Sequence, residues 1–111
     1  MFKISYYNQK VKNEIEKFPA GIKKRYFELT GRMIEHGPFL GAPHTKPFGG
    51  GLFEIRTKAK EGIGRVFYCT VIEENIVILH AFIKKTQKTP KKDLNMAKKR
   101  LKEVKNAHKQ K

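Results

Sequence analysis

Residues 37–51 contain five glycines and three prolines, and this segment divides the chain into two kinds of sequence. Proline supplies no backbone donor and glycine weakens regular elements, so neither a helix nor a central strand can run through it. It reads as one long ordered loop. Before it, apolar residues recur at helical spacing: Val11, Ile15 and Phe18, then Ile22, Tyr26, Leu29 and Met33. After it they alternate, with Phe53 and Ile55 on one side of a strand and Glu54, Arg56 and Lys58 on the other. Helices followed by strands point to an α/β chain of the α+β kind, its amphipathic helices covering an antiparallel sheet.

The boundaries follow from caps and turns. Residues 2–7 alternate as a first strand, and Asn8 suits the N-cap of a first helix. Pro19 fits the first turn of a second helix, which Gly37-Pro38 ends. Strands are expected over 52–58, 64–73 and 76–84, joined by turns at Glu61-Gly62 and Glu74-Asn75. Connections this short force an antiparallel meander. A last helix opens at Pro90 with Thr89 as N-cap and carries Leu94, Ala97, Leu101 and Val104 as its apolar stripe. Residues 105–111 read as a frayed basic tail. The 111 residues are expected to form one domain.

Charge is distributed unevenly. Of a formal net charge of +15, residues 84–111 carry +10, from twelve Lys or Arg against Asp93 and Glu103. Such one-sidedness favours a polyanionic partner over a merely solvated face. Cys69 stands alone inside an apolar run, which excludes a disulfide framework and suits a core thiol. No apolar leader and no membrane-length apolar run occur, so a protein of a reducing cytoplasm, away from membranes, is expected. The four histidines lack metal-ligand spacing, and neither metal nor other cofactor is expected.

Three constellations carry chemistry. Lys84, Lys85, Thr86, Gln87 and Lys88 lead out of the last strand toward Lys91 and Lys92 at the start of the last helix. Cations and helix N-terminal N–H groups together favour phosphate. Two ammonium groups about 7 Å apart repel by roughly 2 kcal/mol at an effective dielectric near 20, which lowers one lysine's pKa toward the range useful for proton transfer. Arg56 and Arg65 lie on neighbouring strands. Paired across a hairpin they present two guanidinium forks to one phosphate; the alternative is an ion pair of Arg56 with Glu54 or Glu73. His80, Phe82 and Lys84 share one strand face if alternation holds. Imidazole, ring and ammonium in line suit single-stranded RNA, although a lone histidine in an apolar strand is commonly a satisfied core residue.

The ordered set Gly41-Ala42-Pro43, Lys46, Gly51-Leu52-Phe53-Glu54-Ile55-Arg56, Gly64-Arg65-Val66-Phe67-Tyr68 and Leu79-His80-Ala81-Phe82 resembles the HigB-like, phage-related branch of the RelE/ParE superfamily of type II toxins. The resemblance covers about residues 41–104 and fits the N-terminal helices more loosely. It implies a compact microbial-ribonuclease-like fold, with an N-terminal strand and two helices packed on an antiparallel sheet and a C-terminal helix. It implies a ribosome-dependent mRNA endonuclease acting in the A site by 2′-OH attack on the adjacent phosphate. A helix-turn-helix antitoxin is the implied partner, with operator DNA contacted only through that complex. Carried over by position, the catalytic residues are Arg56, Arg65, Lys84 and Lys85. The RNA-binding set is Tyr68, His80, Phe82, Thr86, Gln87, Lys88, Lys91 and Lys92. A His-His or Glu-His acid–base pair has no obvious place in this sequence. The alternatives are a ParE-like toxin that poisons gyrase and a basic RNA-binding module without activity.

Overall fold

Apart from one strand inside residues 37–51, strands and helices fall where the two periodicities put them. The computed structural model describes residues 1–84 and 90–109. In chain order the elements are β1 (Lys3–Tyr6), α1 (Gln9–Glu16), α2 (Ala20–His36), β2 (Thr45–Gly49), β3 (Leu52–Ala59), β4 (Gly62–Val71), β5 (Asn75–Lys84) and α3 (Lys91–Lys109). Asn8 caps α1 as expected, its Oδ1 accepting from Val11 N–H at 2.9 Å. Gly37 ends α2 at φ 109°, a conformation that glycine adopts without steric cost.

The five strands make one sheet in the order β1-β5-β4-β3-β2. The meander β3-β4-β5 is antiparallel, while β1 joins β5 in parallel, so the sheet is mixed. The long loop read in residues 37–51 contains a strand. β2 pairs antiparallel with β3, with a register shift between Pro47 and Gly49. Pro47 is tolerated because β2 is an edge strand, where a missing N–H on the open side breaks no ladder. α3 continues through Lys109, so residues 105–109 are helical rather than a loose tail; Lys105 Nζ donates to the Gly50 carbonyl at 2.5 Å. Pro90 precedes the helix, its carbonyl accepting from Leu94 N–H, and Thr89 lies outside the described residues.

Each face of the sheet has its own core. On one side α1 and α2 bring Val11, Ile15, Ile22, Tyr26, Leu29 and Met33 onto Ile55, Val66, Tyr68 and Ile78. On the other, Ala97 and Leu101 of α3 cover Leu52, Phe67, Cys69, Val77 and Leu79. The close approach of α2 depends on Gly64. A Cβ there would lie 2.5 Å from Thr57 Oγ1 and 2.7 Å from Ile22 Cγ2.

A bulge in β5 shapes the α3 side. Phe67 opposes His80, but Tyr68 opposes Ile78, so Leu79 is an extra residue on that strand. It reverses the parity. Ile76, Ile78 and Ala81 face α1 and α2, whereas Val77, Leu79 and Phe82 face α3. Without the extra residue, Phe82 and Lys84 would turn to the covered side.

Candidate functional site

The β3–β4 register sets Arg56 directly opposite Arg65. Phe82 faces Arg65 from β5, and Lys84 is two residues further along the same face. Glu54 shares that face, two residues before Arg56, with Lys46 opposite it on β2. Four cations therefore surround one carboxylate.

Arg65 Nη1 donates to Glu54 Oε1, and the pair is withdrawn from water, with Glu54 1% and Arg65 8% exposed. The ion pair weighed from sequence for Arg56 thus belongs to Arg65. Arg65 stands on a central strand, where lack of water makes a counter-ion most needed, and Arg56 stays half-buried beside the open groove. Glu54 Oε2, Arg56 Nε and Arg65 Nε are buried and have no hydrogen-bond partner among the described residues. Buried polar atoms are nearly always satisfied in a finished core, so three such atoms at one place make this the candidate ligand site. They border a groove of about 470 Å³, whose other wall is the turn and strand from Gly41 to Pro47.

Lys84 sits at the edge of this group, and its pKa is lowered from the ordinary lysine value. Loss of water is the main cause, followed by Arg65; Glu54 opposes the effect, and Arg56 and Lys46 add to it. The lysines expected from sequence to lower it, Lys85 and Lys88, lie outside the described residues, as do Thr86 and Gln87; among the described ones the cations that act are Arg65, Arg56 and Lys46.

His80 Nε2 is 2.6 Å from Asp93 Oδ1, in the first turn of α3, and its ring stacks on Phe82 at 5.7 Å and 24°. Phe82 stacks in turn on Phe67, and Phe48 meets Phe67 edge-on. The imidazole is thus half-buried and carboxylate-bound. A second cavity of about 350 Å³ runs past His80, Phe82, Lys92, Asp93 and Arg100. Lys91 and Lys92 are exposed at the start of α3.

Tyr68 does not belong to this surface. It is fully buried on the α1/α2 side and its hydroxyl donates to the Pro38 carbonyl. Burial raises its pKa. Residues 65 and 68 have opposite parity along β4, so an Arg65 that faces the groove entails a core-facing Tyr68. Sequence reasoning, in turn, missed Glu54, Lys46 and Asp93 as site residues. Glu54 was within reach, since it shares parity with Arg56. Asp93 was not, because only tertiary folding brings the start of α3 to His80. Among the described residues no three His, Cys, Asp or Glu side chains are grouped so as to hold a metal ion, and no helix is long and apolar enough to cross a membrane.

Residues 13–102 match the family model described as "Phage derived protein Gp49-like (DUF891)". Among solved structures, a chain of the YoeB-YefM complex from Staphylococcus aureus superposes with a TM-score of 0.57 at 14% sequence identity. The superposition covers 76% of this chain and 98% of that one. At such identity the likeness is one of fold. No curated protein sequence matches this chain.

Proposed function

This chain belongs to the phage-derived Gp49-like family, and from that premise and the groove just described we propose that it is the toxin of a HigB-like type II toxin–antitoxin system, cleaving mRNA in the ribosomal A site. The observation that carries the reading is the convergence on a cationic groove of buried Glu54, Arg56 and Arg65 atoms that have no partner among the described residues. A phosphodiester fits such a groove, since its two anionic oxygens match a guanidinium fork.

The chemistry has identifiable actors. A ribose 2′-OH attacks the adjacent phosphorus, the bond to the 5′-oxygen breaks, and a 2′,3′-cyclic phosphate and a 5′-hydroxyl result. Glu54 supplies an acceptor for the 2′-OH proton, with Arg65 holding the carboxylate in place. Arg56 takes the phosphoryl oxygens and offsets the charge that builds on them, a role worth about 10²–10³ in rate for a well-placed donor. Lys84, with its lowered pKa, delivers a proton to the departing 5′-oxygen, and a positioned acid or base adds about 10²–10⁴. Phe82 and His80 give flanking bases a surface to stack on, and Lys92 offers a charge to the backbone. The ribosome aligns the substrate for in-line attack.

A solved structure of similar fold is a complex of two proteins, YoeB and YefM. A second protein with an acidic segment is the corresponding partner here, drawn to the same basic face by charge complementarity. It is proposed to be a helix-turn-helix antitoxin through which the pair reaches operator DNA. The deciding experiment is induction in cells with mapping of mRNA ends. Cuts confined to translated frames, bearing 5′-hydroxyls and lost in Arg56→Gln, are expected. Growth arrest with intact mRNA refutes the proposal, and equal cutting of ribosome-free RNA removes the ribosome from it.

A further inference from the structure

Beyond the groove, on the far side of Arg56, a further cavity of about 280 Å³ is lined by Arg25, Pro43, His44, Arg56 and Lys58. It forms where β2 begins. The outer edge of β3 is paired from Leu52 to Ile55, and the last ladder bond is Arg56 N–H to the His44 carbonyl at 2.8 Å. Past that point the edge of β3 is open and α2 lies alongside, bringing Arg25 to His44. Arg25 Nη2 is 3.4 Å from His44 Nδ1. With a guanidinium donor at Nδ1, the neutral imidazole carries its proton on Nε2 and offers it as a donor.

We propose that Arg25, His44 and Lys58, together with the shared Arg56, form a second phosphate subsite, which seats a neighbouring backbone phosphate of the RNA strand held in the Glu54–Arg65 groove. The inference rests on the RNA-cleavage reading for the identity of the strand. Arg56 borders both cavities, so one continuous chain of phosphates can touch both. The excess of cation at this place is real. Arg25 and Arg32 from α2 act on His44, and Arg56 and Lys58 from β3 line the cavity with it, while Glu28 is paired with Arg25. Glu28 reaches Arg25 at only 3.6 Å, from an exposed position beside the half-buried Arg25, a pair too long and too solvated to cancel much charge. The positive surroundings already act on His44: its pKa is lowered by loss of water first, then by Arg25 and Arg32. A phosphate bound there reverses that pressure. It raises the imidazole's pKa in the complex above that of the free protein, so RNA binding tightens as pH falls.

The test uses the full chain and a fluorescein-labelled 2′-O-methyl RNA dodecamer, which cannot be cut because its nucleophile is blocked. Each lost phosphate contact on a single strand flattens the salt slope by about 0.7, equivalent to about fivefold weaker binding at 0.1 M salt. Arg25→Gln and Lys58→Gln should each show that loss, and the Arg25→Gln/Lys58→Gln pair about twenty-five-fold. The exposed Lys102→Gln serves as the charge-matched control. His44→Gln should abolish the tightening between pH 8 and pH 6. Affinity within twofold of wild type with an unchanged slope overturns the subsite. So does a loss confined to binding of a protein partner, which would make the patch a protein-docking surface. Because the readout is binding and not cutting, the two readings separate. Wild-type protein that leaves cellular mRNA intact yet shows these losses refutes the nuclease and keeps the subsite.

Discussion

Replacing Arg65 by alanine should unfold the protein more readily as well as silence it, and the size of the effect tests whether Arg65 acts mainly by holding Glu54. The two side chains are 1% and 8% exposed. A guanidinium and a carboxylate at an ordinary contact of about 3 Å attract by about 5–6 kcal/mol at an effective dielectric near 20. Desolvation offsets much of that. Removing one partner of a buried pair nevertheless costs about 3–5 kcal/mol, because the survivor is left uncompensated. Glu54 keeps Arg56, Lys46 and Lys84 nearby, which favours the lower end, about 3 kcal/mol. For a chain of this size that lowers Tm by about 12 °C. Urea or thermal unfolding of purified protein reads it directly. Glu54→Leu/Arg65→Met, which removes both charges, should recover most of the loss, since apolar replacement of a whole buried pair is often neutral. Arg56→Gln should cost under about 1 kcal/mol because it breaks no buried pair, yet abolish cutting. A Tm drop below about 3 °C in Arg65→Ala, or a double variant no better than the sum of its singles, refutes the reasoning.

Gly64→Ala should cost about 1–3 kcal/mol, measured by urea unfolding, because the added methyl meets Thr57 and Ile22. Tyr68→Phe should lose about 1 kcal/mol through the unpaired Pro38 carbonyl, while RNA affinity stays unchanged; weakened RNA binding would return Tyr68 to the interface. If Lys84 is the proton donor, cutting by the ribosome-bound enzyme should fall as pH rises through the Lys84 pKa, which lies below the ordinary lysine value. The sign follows from the role, since an acid works only while protonated. Lys84→Arg keeps the charge but cannot release its proton at these pH values, so a normal rate and pH profile in that variant would exclude proton donation.

Element identities were legible because they rest on local chemistry. Asn8 caps α1 through its own side chain, and Gly37 ends α2 through its own φ. Strand parity put Arg56 and Arg65 on one face, since a short hairpin leaves little choice of register. Parity also implied that Glu54, on the face of Arg56, belongs to the site and that Tyr68, opposite in parity to Arg65, does not. β2 was hidden because proline and glycine argue against strands in general and only an edge position excuses them.

What the sequence determined by itself, then, was the order of helices and strands, the basic character of the chain and the pair of arginines at its centre. These depend on periodicity, on capping and on charge, which act over a few residues. The tertiary structure decided the rest. The extra residue in β5 turned Phe82 and Lys84 toward Arg65, burial chose Arg65 over Arg56 as the partner of Glu54, and the docking of α2 and α3 brought Arg25 to His44 and Asp93 to His80. Each of these depends on which groups lose their water together, and that is settled only when distant segments pack.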